Sequence, residues 1–381
     1  MPLLLPPKLH TLNKNYFAFA LFALLIALFY GNTLFNGFVS DDVRQVPENV
    51  YIQSLKDIPK AFTSCIWESA NRGCYGRSFY YRPMHSLSYI LSYQISSEAW
   101  FFHLVNLLYF FIVALLVFLF VKLLTKDFIA SFGAALFFII HPINSEVVNF
   151  ISAVPDLTSA IFILLTAILY MQYRKTGSTR KLMLVYLCYF LGVLSKEAAI
   201  LAPIILFSLD LLFFKFPIKQ LLRFIELRRY FVFAVLFLVY LVVRHLVLGV
   251  GTQLGPLGFL ERIHVMISLF SQYLGKLFYP YPLVLYHALG ERSTLPNFPF
   301  LLSLTLVLLF AVSLFLFLKK TKSHICFVSY LVCSLSFSAS YISRRNCGTS
   351  LCREIPLCAK HWIFVSRRLP LFPRSFIFHP L

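Results

Sequence analysis

The stretch that decides the fold class is FFHLVNLLYFFIVALLVFLFVKLL, residues 101–124. Its only charged residue is Lys122, close to its end. A helix that crosses a bilayer needs about 20 consecutive, mainly apolar residues. Residues 101–124 are therefore predicted to form a membrane-spanning helix, and segments on both sides of them have the same character.

The composition of the whole chain agrees with that interpretation. Of its 381 residues, 59% are hydrophobic and only 13% are charged. Soluble chains have about 45–50% apolar and about 25% charged residues, and disordered chains have low hydrophobicity. A soluble globule and a disordered chain are both excluded, and we predict an all-α polytopic membrane protein.

About nine segments are predicted to span the membrane as helices. They are Asn15–Phe35, Phe101–Leu124, Phe128–Ile140, Leu157–Tyr173, Leu182–Leu194, Ala198–Phe214, Tyr230–Leu248, Phe298–Leu318 and Ser323–Ile342. Two large external loops, residues 36–99 and 249–297, lie between them. The apolar but ionisable segment Arg262–Phe278 is assigned to the external membrane interface, because a further span there would place the basic residues 319–322 outside.

The net charge of +19 is explained by membrane orientation rather than by a nucleic-acid partner. Basic residues cluster between the apolar segments, as in the positive-inside pattern of cytoplasmic loops. The clusters are Lys122 and Lys126; Arg174, Lys175, Arg180 and Lys181; Lys215, Lys219, Arg223, Arg228 and Arg229; and Lys319, Lys320 and Lys322. Lys8 and Lys14 precede the first span without a small-residue cleavage site after it, so we expect an uncleaved signal anchor with a cytoplasmic N-terminus.

The first external loop carries a large share of the ionisable residues, which is typical of a functional loop. It also holds Cys65 and Cys74, the only pair of cysteines in an external loop. In an oxidising compartment these residues can form a disulfide, and the alternative is two free thiols. No cysteine spacing indicates zinc, so no metal site is predicted.

Two adjacent carboxylates, Asp41 and Asp42, follow the first span in the sequence FVSDD. Carboxylates just outside a bilayer can act as a general base, as metal ligands or as both. Neighbouring side chains point in different directions, so one is expected to face the reacting group while the other binds an orienting partner. The alternative is a solvated N-cap for a short loop helix.

The sequence YYRPMH, residues 80–85, is a second candidate. Arg82 offers a planar, permanently charged group that suits phosphate, and Tyr81 can stack on a ligand or donate to it. His85 belongs to the same motif. The alternative is an interfacial aromatic belt with an arginine that reaches the headgroups.

A third candidate is the loop between two predicted spans that contains HPINSE, residues 141–146, and Asp156. Glu146 and Asp156 are its only acids, and it has no Lys or Arg. Hydration at the membrane surface is the alternative for the carboxylates. For His141 the alternative is an interfacial histidine whose hydrogen bonds are satisfied.

A fourth candidate is the tight turn LSKE, residues 194–197. Lys196 and Glu197 lie there between two apolar segments, where ionisable residues are costly unless they are paired or functional. Ligand binding is favoured for Lys196 and a structural role for Glu197. A local ion pair between the two is the alternative.

The order of these motifs resembles one family. FVSDD, YRPMHSLSY, HPINSEVV, PDL and LSKEAA follow one another as in the GT-C membrane glycosyltransferases, specifically the transmembrane and tetratricopeptide-repeat O-mannosyltransferase family and its bacterial relatives. The resemblance extends from about Tyr16 to Ala339. It implies a GT-C type bundle with a large first external loop.

The resemblance also implies an activity: inverting transfer of a sugar, mannose or a similar one, from a polyprenyl or dolichyl phosphate to a hydroxyl of a protein or glycan. Asp41 or Asp42 would be the base, and Arg82 and Lys196 would neutralise the departing lipid phosphate. The supporting residues would be Tyr81, His85, His141, Glu146, Asp156 and Glu197. No cofactor is implied, and assistance by a divalent cation stays an open alternative. The reaction would face the outside of a bacterial plasma membrane or the lumen of the endoplasmic reticulum.

The chain departs from the family pattern at Val154 and Pro155, where relatives often have arginine before the Asp-Leu pair, and no tetratricopeptide array follows the 1–342 membrane domain. Residues 343–381 are either a basic tail or the product of a shifted reading frame. Codons permitted for Cys352–Phe364, read one nucleotide later, can spell AERYLYVPSIGF, which resembles the family's external AER-x-LY-x-PS motif. The alternatives to a transferase are a secondary transporter, a non-catalytic assembly subunit and an inactive truncated product.

Overall fold

The computed structural model describes residues 7–67, 80–217, 223–249 and 258–280, together with Thr305. These residues form helices, turns and loops, without a strand among them. The predicted spans Phe298–Leu318 and Ser323–Ile342, and the tail 343–381, lie outside the described residues. The prediction of an all-α protein is confirmed for the described part of the chain, and the GT-C type stays a prediction.

The α-helices are numbered here in chain order. They are α1 Pro7–Tyr30, α2 Asp41–Gln45, α3 Ile58–Thr63, α4 Pro83–Tyr93, α5 Ala99–Thr125, α6 Phe128–Ile140, α7 Ser145–Asn149, α8 Val154–Thr176, α9 Thr179–Ser195, α10 Ala202–Ser208, α11 Phe224–Leu248 and α12 Phe259–Phe278. Short 3-10 turns cover Gly31–Phe35, Val50–Ile52, Leu55–Asp57, Pro142–Asn144, Ile151–Ala153 and Glu197–Leu201, and a π-helical turn covers Leu209–Phe213.

Several of these helices are long and apolar enough to cross a membrane. In the described residues they are Lys14–Phe35, Ala99–Thr125, Ile151–Thr176 and Glu226–Leu248. Helix α6 and the segment Pro142–Asn149 add a further span if they are counted together, with a bend of 53° between them. The chain is therefore a multi-pass membrane protein, with fewer complete spans than predicted for the same residues.

The difference arises mainly in the region after α9. Residues Ala198–Phe214, predicted as one span, are divided into a 3-10 turn, the short helix α10 and the π-helical turn. Pro203 lies in the first turn of α10, where its missing N–H does no harm, but it cannot continue a helix from the preceding turn. Helix α9 itself has only 17 residues.

Helices α5, α8 and α9 form the packed centre of the described residues, and α1 and α6 pack against α5. Gly192 of α9 shows how closely α8 and α9 approach. A Cβ atom at this position would lie 3.1 Å from the Cβ of Ala199 and 3.3 Å from that of Phe162 in α8. Glycine is therefore the residue that fits this contact.

The outer faces of the bundle are apolar. Phe17 and Leu28 of α1 are 68% and 70% exposed, and Leu246 of α11 is 75% exposed. Large exposed apolar side chains in water would promote association, whereas lipid chains solvate them. These faces are the surfaces that a bilayer would cover.

Helix α8 extends from one charged cluster of the bundle to the other. Pro155 occupies its first turn, and Gly177 ends it in the left-handed conformation at φ 66°, with its N–H bonded to the carbonyl of Tyr173. Its 23 residues make a helix about 34 Å long, close to the ~30 Å thickness of a bilayer's hydrocarbon core. A charged cluster lies at each end of this helix.

Candidate functional site

The first cluster begins with a buried ion pair at the N-terminal end of α8. Nζ of Lys196 lies 2.6 Å from Oδ1 of Asp156, and both side chains are 3% exposed. Lys196 has extended backbone angles, φ −159° and ψ 144°, directly after α9. Consecutive side chains of an extended segment point to opposite sides, so Lys196 and Glu197 do not form the local pair considered as an alternative.

Glu197 instead pairs with Arg82 at the start of α4. Its Oε2 accepts hydrogen bonds from Nη2 and Nε of Arg82 at 2.7 and 3.2 Å. The Arg82 side chain is 10% exposed and that of Glu197 is 35% exposed. Burial by itself would raise the pKa of Glu197, but the adjacent guanidinium lowers it overall, so the carboxylate is ionised at neutral pH.

These two pairs belong to one group, the four-charge cluster of Arg82, Asp156, Lys196 and Glu197. Asp156 acts electrostatically on Arg82, and Lys196 acts on Glu197. The inner pair, Asp156 and Lys196, is almost completely buried, whereas the outer pair reaches the surface through Glu197. The cluster has no net charge, and both predicted phosphate-binding cations already have carboxylate partners.

Aromatic side chains surround the outer pair. The guanidinium of Arg82 lies over the ring of Tyr80, 4.6 Å from its centre. Tyr81 is buried, and its hydroxyl donates to the carbonyl of Phe62 at 2.9 Å while its ring lies 6.0 Å from that of Tyr240. Tyr81 therefore holds the Arg82 segment in place, and Tyr80 is the ring that stacks.

His85 is the unusual residue of this region. It is 2% exposed, and neither ring nitrogen has a hydrogen-bond partner among the residues that the structure describes. Burial lowers the pKa of His85 to about 3, and Arg82 adds to the effect, so the ring is neutral at physiological pH. A neutral imidazole offers one N–H donor and one acceptor, which match a hydroxyl group.

The two carboxylates of the acidic doublet, Asp41 and Asp42, differ in burial and in hydrogen bonding. Asp42 is fully buried, and its Oδ1 accepts hydrogen bonds from the backbone N–H of Ser152 at 2.8 Å and from its hydroxyl at 2.5 Å. Burial raises the pKa of Asp42 to about 6, against the opposite effect of these hydrogen bonds. Asp41, at the start of α2, is partly exposed.

The doublet and the four-charge cluster lie at the same end of α8. Ser152, which holds Asp42, is four residues before Asp156 along the 3-10 turn and the first turn of α8. Four residues of helix rise only about 6 Å. The hydroxyl of Tyr89 in α4 also donates to the carbonyl of Ile151 at 3.1 Å, which ties the helix that begins after Arg82 to the same turn.

His141 and Glu146, by contrast, face helix α12. The ring of His141 is hydrogen-bonded through Nε2 to the carbonyl of Leu277 at 3.2 Å, and its Nδ1 accepts from the N–H of Ile143 at 3.2 Å. Glu146 acts electrostatically on Lys276. His141 thus has the hydrogen bonds expected of a structural histidine, and within the described residues these bonds join it to Leu277 and Ile143 rather than to the four-charge cluster.

Cys65 is disulfide-bonded. Cys74, its predicted partner, lies outside the described residues, so that pairing stays a prediction. Within the part of the chain that the structure describes, no group of three or more His, Cys, Asp and Glu side chains is placed to hold a metal ion.

A second cluster lies at the C-terminal end of α8, and the sequence motifs did not predict it. Asp210 in the π-helical turn is fully buried and accepts from Nε and Nη2 of Arg174, both at 2.7 Å. The hydroxyls of Tyr170 and Tyr230 donate to its Oδ2 at 2.5 and 2.9 Å. Arg174 also pairs with Glu226 at 3.1 Å. We call this group the Arg174–Asp210 cluster; residues 36 positions apart form it, so only the tertiary fold brings them together.

The fold and these clusters define a class: a helical multi-pass membrane protein with buried ionic sites at both ends of its central helix. Comparison with known proteins narrows that class. The chain is 30% identical over 215 residues to "Protein O-mannosyl-transferase Tmtc2" of Drosophila melanogaster. The aligned residues make up 54% of this chain and 22% of that protein. It is 31% identical over 155 residues to "Protein O-mannosyl-transferase TMTC2" of Homo sapiens, 40% of this chain and 18% of the relative.

A third relative is "Protein O-mannosyl-transferase TMTC3" of Homo sapiens, 28% identical over 159 residues, 40% of this chain and 16% of that protein. The chain therefore spans about a fifth of the length of these curated relatives. No family model matches the chain. The similarity agrees with the family resemblance seen in the motifs.

Proposed function

We propose that the chain is a glycosyltransferase that moves a mannose-like sugar from a polyprenyl or dolichyl phosphate to a hydroxyl of a protein or glycan. The observation that carries this proposal is the placement of the acidic doublet and the four-charge cluster at one end of α8. A carboxylate base and a cationic phosphate-binding group are the two parts that this transfer needs. The names of the relatives support the same reaction class.

In this proposal Asp41 is the base and Asp42 positions it. Asp42 is locked to Ser152 and is shielded from substrate, whereas Asp41 is partly exposed on the same short helix. The carboxylate of Asp41 takes the proton of the acceptor hydroxyl as its oxygen attacks the anomeric carbon. The bond from that carbon to the phosphate oxygen breaks with inversion, and its electron pair leaves with the lipid phosphate.

Arg82 is the proposed contact for the leaving phosphate. The Glu197 carboxylate that now pairs with Arg82 is 35% exposed, so an incoming phosphate can share or replace it. Lys196 lies behind this pair and is held by Asp156, so we assign it a supporting electrostatic role rather than direct contact. His85 is neutral but only 2% exposed, so we assign it, like Lys196, a supporting role behind Arg82.

We further propose that the doublet faces the outside or the lumen. Nζ of Lys122, near the end of α5, donates to Oδ1 of Asn15 near the start of α1 at 2.8 Å, so these two helix ends lie on one side. The basic residues Arg174 and Lys175 end α8, which starts beside the doublet. Because basic residues favour the cytoplasmic side, the doublet would face away from it, with a cytoplasmic N-terminus.

The experiment is transfer from radiolabelled polyprenyl phosphate mannose to acceptor peptides by the purified full chain in liposomes. Asp41→Asn should lower the rate at least about 100-fold, because general bases contribute roughly 10²–10⁴. Asp57→Asn, in the same external loop, is the matched control and should keep the activity. Transfer by Asp41→Asn at the rate of the unchanged chain would contradict the assignment of the base.

One observation favours a second candidate, a secondary transporter. The buried Asp156–Lys196 pair lies beside the interrupted helices between α9 and the π-helical turn, and transporters often place their sites at broken helices. A transporter would carry a labelled solute across sealed liposomes without transferring sugar. Flux measured in the same preparation separates the two functions.

A further inference from the structure

Two polar residues of the spanning helix α5, His103 and Asn106, have no part in the chemistry described above. Both are fully buried in a helix that otherwise consists mainly of apolar side chains. We infer that they are positioning residues that hold the acidic doublet in place. The catalytic consequence rests on the proposed function, whereas the structural consequence does not.

His103 holds the segment that leads into the doublet. Its Nδ1 lies 2.9 Å from Oγ1 of Thr33, and both residues are fully buried. Thr33 belongs to the 3-10 turn Gly31–Phe35, which ends the first span shortly before Asp41. The neighbouring Phe102 packs edge-on against Phe38 with 5.8 Å between ring centres. Helix α5 thus fixes the approach to the doublet at two consecutive positions.

Asn106 holds the other side of the doublet. Its Nδ2 donates to the carbonyl of Phe150 at 3.0 Å, across 44 positions of sequence. Phe150 immediately precedes the turn Ile151–Ala153, in which Ser152 binds Asp42. One turn of α5 therefore anchors both segments that the Asp42–Ser152 hydrogen bonds join.

The physical reason for this arrangement is the shortness of the helix that carries the doublet. Asp41 and Asp42 lie on a helix of five residues, which is too short to be stable by itself. Its position must therefore come from tertiary contacts. A displacement of about 1 Å at a reacting group can cost on the order of 100-fold in rate.

The structural test uses hydrogen–deuterium exchange of the full chain in nanodiscs. His103→Leu removes the bond to Thr33 with little change in volume, and we expect exchange over residues 33–46 to rise about tenfold, as for local opening. Thr33→Val removes the same bond, whereas His103→Leu also removes the interaction of the ring with the backbone of Gly37. Exchange in Thr33→Val should therefore rise by no more than in His103→Leu, and the double variant should show no further increase over His103→Leu. His103→Asn, which keeps a hydrogen-bonding nitrogen near Nδ1, should restore slow exchange.

The control is Asn15→Ala, which breaks the contact to Lys122 at the opposite end of α5. It should leave exchange over residues 33–46 unchanged. Unchanged exchange in His103→Leu, or additive effects in the double variant, would overturn the inference whether or not the chain transfers sugar.

The functional test is the transfer assay with the same variants. His103→Leu and Asn106→Leu should lower kcat about tenfold with the KM for the lipid donor unchanged, because the base is displaced and the phosphate site is not. A higher KM with the same kcat would overturn the positioning role. If the unchanged chain transfers nothing while the exchange results hold, the proposed function fails and the positioning of the doublet stands.

Discussion

The two charged clusters at the ends of α8 differ in how completely their hydrogen bonds are satisfied. Asp210 accepts from two nitrogens of Arg174 and from two tyrosine hydroxyls, and it is fully buried. At the other end, both nitrogens of Arg82 that bind Glu197 share one carboxylate oxygen, and Glu197 is 35% exposed. His85 nearby has two unpaired nitrogens.

This difference supports the proposal that one cluster is structural and that the other binds a ligand. A buried carboxylate that accepts from several donors, as Asp210 does, is held rigidly and gains little from a further ligand. A network with an exposed carboxylate and an unpaired neutral histidine can exchange partners or accept new ones. Asp210 and Arg174 therefore join α8 to the π-helical turn, and the open side of the four-charge cluster supports the proposal that a charged ligand binds there.

The largest effect on stability is expected at the Arg174–Asp210 cluster. Asp210→Asn removes the charge that neutralises buried Arg174, and losing one partner of a buried pair costs about 3–5 kcal/mol. Thermal unfolding in detergent, followed by the fluorescence of a dye that reacts with cysteines such as Cys188 as they become exposed, should show a markedly lower midpoint. Asp127→Asn is the control, because asparagine caps α6 as well as the aspartate that accepts from Ala130. Equal unfolding midpoints for the two variants would show that the Arg174–Asp210 cluster does not stabilise the fold.

An intermediate effect is expected from the protonation of Asp42. Its folded-state pKa of about 6 lies above the value of about 3.9 for an unfolded aspartate, so the folded chain binds more protons between these values. The contribution of Asp42 to stability therefore falls as pH rises from about 4 to about 6, and it is constant above that range.

Asp42→Asn tests this by removing the titration while keeping an acceptor for Ser152. Relative to the unchanged chain, its free energy of unfolding should rise by on the order of 2 kcal/mol between pH 4 and pH 7. Unfolding measured in detergent at a series of pH values gives this difference directly. Parallel curves for the two proteins would mean that Asp42 titrates normally and is not buried as described.

A smaller effect on stability is expected at the outer pair of the four-charge cluster, Arg82 and Glu197. Glu197→Gln keeps an oxygen for Arg82 and removes a charge that is 35% exposed, whereas Asp210 is fully buried, so the loss of stability should be smaller than in Asp210→Asn even though Arg82 is buried. The midpoint of thermal unfolding should change by no more than a few degrees. A fall in the midpoint as large as that of Asp210→Asn would mean that the two clusters do not differ in their contribution to stability.

The sequence predicted the class of the protein better than it predicted which ionisable residues pair with one another. Long apolar segments indicate spanning helices because the bilayer imposes their length. The sequence also predicted that one carboxylate of the doublet would be held, since adjacent side chains diverge.

The pairings of Lys196 with Asp156 and of Arg174 with Asp210 were not predicted, because residues 40 and 36 positions apart meet only through helix packing. The break in Ala198–Phe214 was also missed. That segment is apolar apart from Ser208 and Asp210, and hydropathy does not register the effect of Pro203 or a π-helical turn.

The most direct test of the account is the binding of polyprenyl phosphate mannose to the full chain in nanodiscs, with and without Glu197→Gln. If the phosphate exchanges with Glu197 at Arg82, removing the competing carboxylate should tighten binding on the order of tenfold, equivalent to about 1.4 kcal/mol. Arg82→Gln should weaken binding. Glu226→Gln, in the Arg174–Asp210 cluster, is the control and should leave binding unchanged. Binding that is equal or weaker in Glu197→Gln would contradict the claim that the four-charge cluster receives the lipid phosphate.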